Sequence, residues 1–65
     1  MKVAVKYAVQ LRSGDRFLNS AGEVETVQGS VDRLGDYVMF DSVKDSGVGS
    51  HVKIYPFAAP VEVLV

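Results

Sequence analysis

Leu11-Arg12-Ser13-Gly14-Asp15-Arg16-Phe17 is the stretch on which the fold turns. Glycine supplies positive φ, and Ser13 and Asp15 can hydrogen-bond nearby backbone, so the heptad reads as a turn between two strands and not as a catalytic motif. On its N-terminal side the pattern alternates strictly. The odd positions are Val3, Val5, Tyr7, Val9 and Leu11, and the even ones Lys2, Ala4, Lys6, Ala8 and Gln10. Side chains alternate between faces along a strand, so residues 1–10 read as a long first strand, odd set on a core and even set in water.

On its C-terminal side, residues 16–19 restart as a short strand anchored by Phe17, and Ser20-Ala21-Gly22-Glu23 closes a hairpin. Residues 24–34 keep a β composition, but the apolar positions change parity between Val24 and Val27, and Gly29 sits inside the run. That combination predicts a bulge or sharp bend, by which one long strand serves two sheets. Leu34-Gly35-Asp36 is a further turn, and residues 37–43 form the densest run of strand formers, read as the central strand. Residues 44–49 are the most loop-like, with glycines at 47 and 49 and the strongest expectation of mobility. Residues 50–55 read as a strand with Val52 and Ile54 on one face and His51, Lys53 and Tyr55 on the outward one. Pro56 to Pro60 reads as a short turn or 3-10 piece, since proline lacks a ladder donor, and residues 61–65 end the chain as a strand.

The sequence therefore predicts an all-β domain spanning residues 1–65: an SH3-like barrel of five to six short antiparallel strands, preferred over a Greek-key sandwich, with a 3-10 turn before the last strand and the first and last strands paired. Sixty-five residues bury little surface, and a scaffold this small usually needs a staple. The absence of cysteine removes disulfides, thiolate metal sites and thiol chemistry, and one histidine is too few for a structural zinc site. Association with a second copy is the staple left. The 48% hydrophobic content and net charge of −1 fit a folded chain and not a disordered one. No apolar run approaches the ~20 residues of a membrane helix, and the N-terminus lacks the continuous apolar core of a signal peptide, so the expected setting is the cytoplasm, with no membrane partner.

The segments Leu11-x-x-Gly14-Asp15-Arg16-Phe17, Gly22-Glu23-x-x-Thr26-Val27, Tyr55-Pro56 and Ala59-Pro60-Val61-Glu62-Val63-Leu64 together resemble small proteins encoded by bacteriophages of actinobacteria and by their hosts. The resemblance runs from about residue 8 to the end and leaves the regular first strand unmatched. It implies a small phage-type barrel and brings no catalytic residues.

Few residues offer chemistry. His51 is where an acid–base reading would begin, but no Gly-x-Ser-x-Gly or comparable signature supplies a nucleophile for it. Asp41, Asp45 and Ser46 lie close together without the spacing of a calcium loop. Neither Ser13-Gly14-Asp15 nor Gly47-Val48-Gly49 opens a helix after a strand, the context a phosphate cradle requires. No catalytic, metal or cofactor site is predicted. Charge is uneven, however: residues 1–16 carry Lys2, Lys6, Arg12 and Arg16 against Asp15, whereas residues 17–50 carry six acids against Arg33 and Lys44. With His51, Lys53 and Tyr55 on one outward face, the candidate contact set is Lys2, Lys6, Arg12, Arg16, His51, Lys53 and Tyr55. The expected function is non-enzymatic binding of a protein partner, with self-association through the first strand, whose edge can template main-chain hydrogen bonds. The alternative is a nucleic-acid-binding barrel using the basic N-terminal strand and turn.

Overall fold

A computed structural model describes residues 2–47 and 49–65. Val48, part of the loop expected at 44–49, lies outside the described residues. The strands are β1 (Val3–Tyr7), β2 (Arg16–Leu18), β3 (Val24–Leu34), β4 (Tyr37–Lys44), β5 (His51–Pro56) and β6 (Pro60–Leu64). They form one antiparallel sheet in the order β1-β6-β2-β3-β4-β5, with a single 3-10 turn at Ala8–Gln10 and no α-helix among the described residues. The all-β class, the strand number and the pairing of first with last strand are as predicted. The sheet is open: β1 and β5 are its two edges.

The Leu11–Phe17 turn forms as read. Gly14 adopts φ +90°, and the Asp15 carboxylate accepts the Arg12 N–H at 3.0 Å. Two main-chain bonds of 2.8 Å, Gly14 N–H to Val27 C=O and Val27 N–H to Asp15 C=O, then fasten the turn to β3. The bend predicted at Gly29 is also present. Gln28 pairs with Asp41 and Asp32 with Met39, so Gly29, Ser30 and Val31 oppose Phe40 alone. Gly29 takes φ +66°, which other residues reach only with strain.

The core consists of Ala8, Leu11, Phe17, Val27, Val38, Phe40, Val61 and Val63. Phe17 meets Phe40 edge-to-face at 5.7 Å, and Phe40 stacks on Tyr55 at 5.9 Å. These rings come from β2, β4 and β5, so the sheet is curled around them. At one end the curl brings the 3-10 turn against the β5–β6 connection, where Ala8 N–H donates to Ala59 C=O at 2.9 Å and Val9 N–H to Phe57 C=O at 3.1 Å.

Several expectations are corrected. The first strand, expected over residues 1–10, ends at Tyr7, and the 3-10 turn follows it at Ala8–Gln10 instead of preceding β6; the β5–β6 connection is a plain turn closed by Ala59 N–H to Pro56 C=O. Pro56 ends β5 as a strand residue, tolerated because β5 is an edge. The faces of β5 are inverted, and on β1 the odd face is exposed instead of buried, with Ala4 exposed as well and Lys6 alone half-buried. Val3, Val5 and Tyr7 are 43%, 65% and 55% exposed, and Val52 and Ile54 are 63% and 60% exposed, whereas Lys53 and Tyr55 turn inward. Cross-strand partners share a face, and the inner neighbour dictates it. Ala4 and Lys6 lie opposite buried Val63 and Val61; Lys53 and Tyr55 lie opposite buried Phe40 and Val38.

Candidate functional site

Among the described residues, two polar side chains are wholly buried, Glu25 on β3 and Ser42 on β4. Ser42 Oγ donates to Glu25 Oε1 at 2.6 Å, Asn19 Nδ2 donates to Oε2 at 2.6 Å, and Lys53 Nζ lies 3.1 Å from Oε2. Burial pushes the Glu25 carboxyl up, but these donors and the Lys53 charge together outweigh it, and the pKa lies below the ordinary glutamate value. Asn19 also accepts the N–H groups of Ala21 and Glu23, so one side chain shapes the β2–β3 hairpin and caps the carboxylate. The cluster is closed, with every buried side-chain polar atom partnered among the described residues. It links β3, β4, β5 and the end of β2. Sequence reading missed it, although Glu25 sits two residues before Val27 and shares its face.

Two of the seven predicted contact residues are held within the fold. Lys53 is the cation of the Glu25 cluster, and Tyr55 stacks on Phe40, with burial raising its phenol pKa, Lys53 lowering it and Glu25 raising it again. Two more cations are paired on the surface: Lys6 with Asp15 at 3.3 Å and Arg16 with Asp45 at 2.6 Å. Lys2, Arg12 and His51 are exposed. The seven do not form one surface: His51, Lys53 and Tyr55 belong to β5, and Lys2 and Lys6 lie at the opposite edge of the sheet.

The edges themselves have a defined chemistry. In an antiparallel ladder, residues exchanging bonds with the neighbour alternate with residues whose N–H and C=O point the other way. Val65 N–H donates to Lys2 C=O, and Ala8 N–H to Ala59 C=O, both in the β1–β6 register. Ala4 and Lys6 therefore bond to β6, and the amides of Val3, Val5 and Tyr7 point off the sheet. Gln10 Oε1 takes the Tyr7 N–H at 2.9 Å, which leaves Val3 and Val5. On β5, Phe57 N–H donates to Asp36 C=O in the β4–β5 register, so Val52 and Ile54 point outward in the same way. The four residues with outward amides are four of the exposed apolar side chains.

A groove of about 900 Å³ runs beside β1, three times the size of either depression near β3–β4 or β6. Ala4, Val5 and Lys6 line it consecutively, together with Val9, Gln10, Leu11, Arg12 and Arg33 of β3. Arg33 is held by Phe57, its guanidinium carbon 5.6 Å from the ring centroid. Arg33 was missed from sequence because it lies in the acidic middle of the chain. Compared with known protein families, curated proteins and solved structures, the chain shows no match.

Proposed function

We propose that the chain is a non-enzymatic interaction protein that binds a protein partner, and can bind a second copy of itself, by strand addition at β1 or β5. One observation carries the reading: on each edge the same residues, Val3 and Val5 or Val52 and Ile54, present outward main-chain groups and exposed apolar side chains. Soluble proteins ordinarily blunt such edges or cover them. Pro56 removes one donor from β5, but β1 has no proline. The architecture behind this reading is an SH3-like barrel left unclosed between β1 and β5, and the resemblance to phage proteins makes a host cytoplasm the setting. The nucleic-acid reading is weaker, because Lys6, Arg16 and Lys53 already have carboxylate partners.

The test places a photo-crosslinking residue at Val3 or at Val52 and exposes the chain, alone and in nuclease-treated actinobacterial lysate. Crosslinks to a second copy or to a protein at these positions are expected, and Val5→Pro or Ile54→Pro should remove those at its own edge. A folded chain that crosslinks to neither overturns the reading.

A further inference from the structure

Of the seven Lys and Arg residues, Lys6, Arg16, Lys44 and Lys53 have carboxylate partners. Lys2, Arg12 and Arg33 have none among the described residues, and two of these three line the groove along β1. No acid lines the groove, so its lining combines two guanidinium groups that have no ion-pair partner among the described residues with the apolar side chains of Val5, Val9 and Leu11. Its third cation, Lys6, is neutralised by Asp15. The groove also follows an open strand edge. Three consecutive β1 residues line it, both even and odd, as happens when a depression runs along a strand and not across one of its faces.

We infer that β1 is the recognition edge and that its occupant is an extended, acidic segment of a partner protein, added as a strand beside β1 with carboxylates reaching Arg12 and Arg33. The inference rests on the strand-addition reading and narrows it to one edge and one ligand chemistry. A strand satisfies the outward N–H and C=O of Val3 and Val5 with its own complementary groups, while its alternate side chains divide between the apolar bed and the arginines. A polynucleotide matches this surface poorly. It repeats a charge at every phosphate, whereas the groove offers two uncompensated cations, and it has no alternating donors and acceptors to lay along β1.

The experiment is amide shift mapping and fluorescence polarisation on the 65-residue chain with four probes: short peptides of alternating glutamate and valine, serine and valine, and lysine and valine, and a short deoxythymidine oligomer. The glutamate peptide should bind best, perturb Val3, Val5, Arg12 and Arg33, and lose about tenfold or more in affinity with R12E/R33E and, separately, with Val5→Pro. The dispersion of each variant's amide spectrum establishes that it is folded; the arginine pair keeps the test valid should the proline variant unfold. If the serine or lysine peptide adds to β1 or β5 as tightly as the glutamate peptide, strand addition stands and the acidic specificity is overturned. If no peptide perturbs either edge, both fall. If the oligonucleotide binds more tightly than the glutamate peptide and Val5→Pro leaves that binding unchanged, the groove is a polyanion site and the inference is overturned.

Discussion

Glu25 shows how far one side chain can depart from the rule that charges lie outside. A buried carboxylate is tolerated only when its lone pairs are filled, and Ser42, Asn19 and Lys53 fill them. Its pKa is lowered on folding, so it contributes stability above the unfolded glutamate value and that contribution is lost as pH falls through the folded one. Urea midpoints followed from neutral pH into the acid range should fall with acidification. Glu25→Gln should flatten that dependence and cost about 2–4 kcal/mol at neutral pH, since Lys53 loses its counter-charge. An unchanged acid limb in the variant would assign the pH dependence to other groups. Nothing in the residue's identity announced this role; only its distance of two from Val27 pointed inward, and that signal is common.

Among the elements, β4 and the first half of β3 were legible because each has neighbours on both sides and its apolar pattern must match a core. Gly29 announced the bulge. Gly29→Ala meets open space at its Cβ, yet its φ of +66° should make the substitution cost about 1–2 kcal/mol in a denaturation midpoint. The edge strands were misread because their side-chain alternation is real but its phase is free until a neighbour sets it. Val61 and Val63 set the phase of β1, and Val38 and Phe40 that of β5. The same phase separates two proline substitutions on β1. Ala4→Pro deletes an amide that faces β6 and should lower stability by at least about 1 kcal/mol, whereas Val5→Pro deletes an outward amide and should leave the melting temperature nearly unchanged. Equal effects on melting would refute the ladder assignment.

At the scale of the whole molecule, the aromatic series Phe17–Phe40–Tyr55 holds the curled sheet together, and a chain of 65 residues has little stability in reserve. Phe17→Ala should cost about 3–5 kcal/mol and leave the chain largely unfolded at room temperature, read as collapse of amide dispersion in its NMR spectrum. By itself the sequence determined the β class, the position of every reversal from Ser13-Gly14-Asp15 onward, the anchor Phe17 and the bend at Gly29. Those features are local: turn chemistry, alternation and backbone freedom act within a few residues. Tertiary structure decided which face of β5 turns inward, that the odd face of β1 is exposed, that Glu25 is paired inside, and that Arg12 and Arg33 line one groove with Val5. Each of these depends on a partner distant in the chain, and a strand's alternation fixes which residues go together without fixing which side they take.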